Sequence, residues 1–176
     1  LVPNSTVVLK DLKPLYDEKV SDNRMFTGEM RNKSDSNALS RFGPNHKLLG
    51  CVKGCDKMKE LSEHLEILIS KDNTDQPTFE GNVNRYLRKL MKDGKCNIIC
   101  GKGLGTKNKK NEVVLIEHLL EESSLELCMC SLFCIILPDE EILNRKKYQW
   151  FARLSPMQVL EANTQASKFL VISRGK

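Results

Sequence analysis

The chain has 176 residues, of which 40% are hydrophobic and 29% are charged, and its formal net charge at pH 7 is +5. This length is sufficient to bury a core, and this composition excludes a wholly disordered or fibrous chain. The longest apolar run, 125–137, is too short to cross a bilayer, and no signal peptide is visible. Because the chain begins at Leu1 rather than Met, we expect it to be excised from a larger protein.

Residues 1–47 show little hydrophobic periodicity and are predicted to form an N-terminal arm with short strands. Strands are predicted at 6–10, 24–31 and 47–52, and a turn is predicted at 43–45, where glycine, proline and asparagine follow one another. Residues 48–176 are predicted to form an α/β core, and the arm and the core are predicted to make one domain overall.

Two helices are predicted after this arm. Asp56 is a suitable N-cap for the first, in which leucine and methionine recur at three- and four-residue spacing up to about residue 71. Thr78 precedes the second, whose apolar stripe begins at Phe79. Gly94 predicts the end of this second helix, because glycine readily adopts the left-handed conformation that closes a helix.

Strands and helices alternate in the second half of the sequence. This pattern predicts an α/β or α+β fold, a single mixed sheet with helices packed on it, clearest in this half. Short apolar runs predict strands at 96–100, at the start of 113–120, at 125–137 and at 169–173. The acidic end of 113–120 is predicted to be helical. Helices are predicted from 139 to about 154 and from Ser155, which precedes Pro156 as a helix-capping residue does.

The seven cysteines are many for this length, and their odd number argues against a secreted disulfide scaffold. We interpret them as reduced, mostly buried thiols of an intracellular protein of the nucleus or cytoplasm. A zinc site is the alternative, and the pair Cys51 and Cys55, which lies beside two glycines, is in the most turn-like setting. The sequence leaves this alternative open, and we predict no metal ligand.

Residues 101–107 contain three glycines and two lysines directly after the predicted strand at 96–100. Glycine-rich backbone after a strand can offer N–H groups to a phosphate. However, the spacing matches neither the dinucleotide-binding pattern nor the P-loop pattern, and no helix start follows it. A nucleotide-binding loop, a plain hairpin loop and a polyanion-binding loop therefore stay open, and no cofactor is predicted.

The basic excess of the chain lies in residues 85–110, which contain nine cationic side chains and one carboxylate, Asp93. Four of the nine recur at i, i+3, i+4 and i+7 in the second predicted helix, on the side away from its apolar stripe. These four form the basic stripe: Arg85, Arg88, Lys89 and Lys92. The predicted phosphate-binding residues are the basic stripe, Lys95 after it, and the loop residues Lys102, Lys107, Lys109 and Lys110.

Other charged groups carry weaker signals. A second basic cluster, 145–147, lies beside Tyr148 and Trp150, whose rings suit either stacking on single-stranded nucleic acid or a core. The acidic run is interpreted as a solvated face opposing the basic one, and it comprises Glu112, Glu117, Glu121, Glu122 and Glu126. No catalytic motif surrounds His118 or any cysteine, so enzymatic activity is uncertain and disfavoured, and no catalytic residue is predicted.

The favoured prediction is a non-enzymatic intracellular module that binds the phosphate backbone of RNA or DNA through residues 85–110. The alternative is a protein-interaction scaffold of a larger complex. In that case the basic and acidic faces dock partner chains, such as an acidic protein or further copies of this chain in an oligomer.

Overall fold

The computed structural model describes residues 5–20, 24–31, 42–71, 76–121 and 125–175. They fall into two compact units. Unit 1 takes the described residues of Leu12–Gly101, and unit 2 takes those of Pro3–Asp11 and Lys102–Lys176. Parts of the predicted N-terminal arm (1–4, 21–23 and 32–41) lie outside the described residues. The division into an arm and a core within one domain stays a prediction.

Helices and strands both contribute to each unit. In chain order the elements are β1 (Thr6–Val8), α1 (Lys13–Lys19), β2 (Met25–Arg31), β3 (Phe42–Gly50), α2 (Asp56–Ser70), α3 (Gln76–Lys92), β4 (Cys96–Ile99), α4 (Ile116–Leu120), β5 (Cys134–Ile136), α5 (Asp139–Asn144), α6 (Gln149–Ala152), α7 (Pro156–Glu161) and α8 (Gln165–Arg174). The mixed sheet of unit 1 and the helices packed on it confirm the predicted fold class, in its α+β form. Within the described ranges, none of the helices is long and apolar enough to span a membrane.

The sheet of unit 1 has the strand order β3-β2-β4, with β2 antiparallel to β3 and parallel to β4. The strand predicted at 24–31 is confirmed and is the central strand, β2. The turn predicted at 43–45 is wrong, because these residues belong to β3. Pro44 is tolerated in β3 because this strand lies at the edge of the sheet, where a missing N–H interrupts no second ladder.

Two helices, α2 and α3, contribute to the core of unit 1. Met25 of β2, Leu61 of α2 and Leu87 of α3 are almost completely buried in one hydrophobic cluster. Both helices were predicted from their apolar spacing and both are confirmed. Asp56, predicted as the N-cap of α2, is its first helical residue, and Cys55 is the N-cap. α3 begins at Gln76, two residues before Thr78, which was expected to precede the helix.

Unit 2 contains the antiparallel pair of β1 and β5 together with the helices from α4 onward. One hydrophobic cluster joins Val7 of β1, Ile135 of β5 and Phe169 of α8. A second cluster joins Ile116 of α4 to apolar residues of α5 and α6. The short helices therefore bury their apolar sides against each other and against the β1–β5 pair.

Three strand predictions in unit 2 are corrected by the structure. Residues 169–173 lie in α8, whose start is capped by the Thr164 hydroxyl; this oxygen accepts a hydrogen bond from the Ser167 N–H at 3.1 Å. Only Cys134–Ile136 of the run 125–137 is paired as a strand, because β1 offers it only three partner residues. The end of 113–120 forms α4, as predicted, whereas the strand predicted at its start is limited to a bridge between Val113 and Lys107.

The last helices follow their capping signals. The helix predicted from 139 to about 154 divides into α5 and α6, because Arg145 between them has an extended backbone with φ of −91° and ψ of 112°. The start of α7 is confirmed: the Ser155 hydroxyl accepts from the Gln158 N–H, and the Gln158 side chain accepts from the Ser155 N–H. Pro156 occupies the first turn, where its missing N–H costs no helical hydrogen bond.

Candidate nucleic-acid interface

The basic stripe lies on α3, on the side opposite to the core of unit 1. Val83, Leu87 and Leu90 occupy the buried side of this helix and are at most 3% exposed. At 100° per residue, the four positions of the basic stripe centre on the opposite side. Three of the four side chains are exposed and Arg88 is half-buried. The packing of α3 therefore holds four cationic side chains along one accessible line.

The charges of the basic stripe have few partners within unit 1. Arg85 donates a hydrogen bond from Nη1 to the Asn82 Oδ1 at 3.3 Å, which leaves its charge uncompensated because the amide is neutral. Among the described residues, no carboxylate forms an ion pair with Arg88, Lys89 or Lys92. The side chains are thus available to an anionic partner.

A glycine-dependent cap ends α3 just beyond the basic stripe. The Lys95 N–H donates to the Leu90 carbonyl at 2.9 Å and the Gly94 N–H donates to the Met91 carbonyl at 3.0 Å. Gly94 has a φ of 67°, so the cap is a Schellman motif with glycine in the left-handed conformation, as its position predicted. Lys95 follows the cap and is exposed. Its charge contributes to the lowered pKa of Glu60, whose main cause is the hydrogen bond from Lys57.

The lysines at 107–110 belong to a closed hairpin of unit 2. The Val114 N–H donates to the Thr106 carbonyl at 3.0 Å, and the Asn111 N–H donates to the Asn108 carbonyl at 3.1 Å. Asn111 has a φ of 65°, which is typical of the left-handed residue after a type I turn in a three-residue hairpin loop. Lys109 and Lys110 are therefore the central residues of the turn, and both are exposed. Lys107 is half-buried and has a partner within the structure.

The glycines at 101–105 serve the backbone rather than a phosphate. The Gly101 N–H donates to the Glu29 carboxylate at 2.8 Å, within unit 1. In unit 2, the Gly103 carbonyl accepts from the Phe133 and Cys134 N–H groups. Gly105 has a φ of 65° and approaches Ile135 so closely that a Cβ would lie 3.0 Å from its Cγ1. The Gly101 N–H is already bonded to a carboxylate, and Gly103 and Gly105 are buried. These backbone groups are therefore poorly placed to bind a phosphate, which disfavours a nucleotide-binding loop.

The nine predicted phosphate-binding residues divide between the two units. Arg85, Arg88, Lys89, Lys92 and Lys95 belong to unit 1, and Lys102, Lys107, Lys109 and Lys110 belong to unit 2. The structure brings the basic stripe together on α3 and places two lysines side by side in the hairpin turn. Each group is therefore a surface of its own unit.

Two of the three cations of the second basic cluster are paired with carboxylates. Arg145 contacts the carboxylates of Glu117 at 2.7 Å and Glu141 at 3.1 Å, and Lys147 contacts Glu121 at 2.8 Å. The hydrogen bond to Glu121, with a further one to Tyr148, raises the pKa of Lys147. These pairs explain why residues 145–147 are a weaker candidate for phosphate binding than the basic stripe.

The two aromatic residues beside this cluster and the other glutamates of the acidic run differ in their surroundings. Tyr148 is buried, which supports the core interpretation of its ring, whereas Trp150 is 41% exposed. The Glu112 carboxylate accepts from the Asn108 side chain at 2.7 Å and so supports the hairpin. Glu126 is exposed, and Glu122 lies outside the described residues. The acidic run is thus largely committed to contacts within unit 2.

His118 has a structural role in unit 2. The Nδ1 of His118 accepts from the Leu115 N–H at 3.1 Å and caps α4. The described residues contain no group of three or more His, Cys, Asp or Glu suited to a metal ion. Burial and the neighbouring Cys55 raise the pKa of the Cys51 thiol.

No protein-family model, curated protein sequence or solved structure matches this chain. Function is therefore inferred from the arrangement of charges on the two units.

Proposed function

We propose that this protein binds nucleic acid through contacts with the phosphate backbone, with the basic stripe of α3 as the principal surface. The observation that carries the proposal is the cationic line on the side of α3 opposite to the core, without an ion pair to any described carboxylate. Like charges at i, i+3 and i+4 repel each other by a few tenths of a kcal/mol per pair. An anionic ligand relieves this repulsion, and binding is therefore favoured.

The dimensions of the basic stripe suit a polyanion. Seven residues of helix span about 10 Å, and double-stranded nucleic acid carries one charge per about 1.7 Å of its axis. Several phosphates therefore lie within reach of the four side chains. Such contacts position the protein without reading the bases, so we expect little sequence preference.

The hairpin of unit 2 supplies a second contact surface in this proposal. Lys109 and Lys110 occupy the exposed turn, and Lys102 and Lys107 lie on the chain leading to it. The scaffold alternative receives less support, because the carboxylates of Glu117 and Glu121 already pair within unit 2. An acidic face that is paired internally has less charge to offer a partner.

Charge reversal in the basic stripe tests the proposal. Fluorescence anisotropy with labelled single- and double-stranded RNA and DNA measures binding from low to physiological salt. We expect the wild-type protein to bind and the double variant Arg88→Glu/Lys89→Glu to lose binding by at least about a hundredfold, since two attractive contacts become repulsive. A matched control is Lys53→Glu/Lys59→Glu, which changes the net charge equally at exposed positions of the same unit.

Two outcomes would overturn the proposal. If the control variant loses as much affinity as the double variant, net charge and not the basic stripe governs binding. If the wild-type protein binds none of the four probes even at low salt, nucleic acid is not the ligand. A defined oligomer or protein complex, found by light scattering under the same conditions, would then favour the scaffold. Circular dichroism of each variant shows whether the helices are retained.

A further inference from the structure

Two cysteines of unit 2 lie in a tight turn at the surface. The Ser131 N–H donates to the Cys128 carbonyl at 3.0 Å, which closes a turn over residues 128–131. Cys130 is exposed and Cys128 is half-buried. The Lys10 Nζ donates to the carbonyl oxygens of Met129 and Cys130, at 2.8 Å each, and so holds the turn in place.

The surroundings of Cys128 favour its thiolate. The Ser131 hydroxyl and N–H donate to the Cys128 carbonyl at 3.3 and 3.0 Å. The polar groups of Ser131 lower the pKa of Cys128, and the charges of Lys102 and Lys109 lower it further. Lys109 is held nearby, because its N–H donates to the carbonyl of Glu126 at 3.0 Å, two residues before Cys128. Ammonium groups near an accessible sulfur are typical of reactive cysteines.

Other cysteines of the chain lie in the opposite environment. Burial raises the pKa of Cys96 to about 12 and the pKa of Cys134 to about 11. These two thiols are buried in the hydrophobic interiors of their units and are protonated at neutral pH. The sequence had predicted that the cysteines act as small buried hydrophobes, which holds for Cys96 and Cys134 but not for the exposed Cys130.

From the closed surface turn, its two thiols and the Lys10 ammonium group that holds it, we infer that Cys128 is a site of oxidation by peroxides, with Cys130 as the resolving thiol. The Cys128 thiolate attacks one peroxide oxygen, the O–O bond breaks, an S–OH group forms and hydroxide or alkoxide leaves. The sulfur is oxidised by two electrons and the peroxide is reduced by two. The Cys130 thiolate then attacks this sulfur, an S–S bond forms, and the departing hydroxide takes up a proton to give water.

The position of Cys130 suits the resolving step. It lies two residues from Cys128 inside the same closed turn, so one short segment holds both thiols. Its exposure also gives a thiol reductant access to the product. The inference is independent of the proposed nucleic-acid binding, since it rests on the turn and its donors alone.

Peroxide treatment of the purified protein tests the inference. After exposure to hydrogen peroxide, free thiols are alkylated and peptides are analysed by mass spectrometry. We expect the peptide with Cys128 and Cys130 to lose two hydrogen atoms in the wild-type protein. In Cys130→Ser we expect a sulfenic acid at Cys128 that a dimedone probe traps. Cys100→Ser, which removes an exposed thiol of unit 1, is the control and should behave as the wild type.

A second measurement keeps the inference falsifiable if a cysteine variant is poorly folded. The double variant Lys102→Gln/Lys109→Gln should slow Cys128 oxidation by about two- to fivefold, because fewer ammonium groups stabilise the thiolate. Lys110→Gln/Lys146→Gln removes the same charge at exposed positions and should leave the rate unchanged. Equal rates in the two double variants, or oxidation of Cys100 before Cys128 in the wild type, would overturn the inference.

Discussion

Removal of one charge from the basic stripe should change the salt dependence of binding by a calculable amount. Each phosphate contact contributes about 0.9 to the slope of log K against log salt on duplex nucleic acid and about 0.7 on single strands. Four contacts give a duplex slope of about −3.6, so affinity falls about 150-fold between 50 and 200 mM salt. In Lys89→Gln the slope should be about −2.7 and the loss about fortyfold.

Lys89 is the suitable position because it is exposed, lies on the side of α3 away from the core and forms no ion pair with a described carboxylate. Contacts made by the hairpin lysines add the same amount to the salt slope of the wild type and of Lys89→Gln. The difference of about 0.9 between the two slopes is therefore the quantity to measure. Fluorescence anisotropy titrations at several salt concentrations provide it. Lys59→Gln, at an exposed position of α2, is the matched control and should leave the slope unchanged.

The reasoning would be refuted if Lys89→Gln and the wild type had the same salt slope while both bound nucleic acid. Binding would then use other cations, and the hairpin lysines of unit 2 would be the next surface to vary. A slope reduced equally by Lys59→Gln would instead indicate a diffuse response to net charge, without defined phosphate contacts.

Three further predictions concern the stability of the two units. Leu87→Ala should destabilise unit 1 by about 2–5 kcal/mol in urea unfolding, because Leu87 is fully buried, whereas Ile67→Ala, at a half-exposed position of α2, should change it by less than about 0.5 kcal/mol. Gly94→Ala should cost about 1–2 kcal/mol, since a φ of 67° strains alanine, whereas asparagine tolerates this left-handed conformation better; an equal cost for Gly94→Asn would contradict this explanation. The pKa of Glu117 is lowered, because burial raises it but the backbone hydrogen bond and the charge of Arg145 outweigh burial. The ionised form of Glu117 therefore stabilises unit 2 above the unfolded pKa of about 4.3, and this contribution is lost as the pH falls through the folded pKa. The difference in melting temperature between the wild type and Arg145→Gln should therefore shrink on acidification, and a difference that grows would show that another group controls it.

Helices with a complete local signal were predicted well. The apolar spacing of α2 and α3 and the glycine after α3 are properties of short segments, and the structure has both helices near their expected bounds. The cap of α7 was also predicted, because Ser155, Pro156 and Gln158 act within one turn. In each case the residues that stabilise the element are neighbours in the sequence.

Short apolar runs were predicted less well, because helix and strand both accommodate them. Residues 169–173 were predicted as a strand from their hydrophobicity, yet Phe169 packs on the β1–β5 pair from a helix that Thr164 caps. Residues 43–45 were predicted as a turn, yet they pair with β2 along the sheet edge. The partner available in the tertiary structure decided each conformation.

The same distinction holds for the candidate sites. The sequence by itself determined that α3 has one apolar and one cationic side, since both follow from the helical period. Only the tertiary structure decided that the Gly101 N–H is occupied by Glu29, and that Arg145 and Lys147 are neutralised by glutamates more than 20 residues away. The tertiary structure also placed the Lys10 ammonium group against the turn that holds Cys128 and Cys130. Contacts between residues distant in sequence depend on how the chain packs, and no local pattern encodes them.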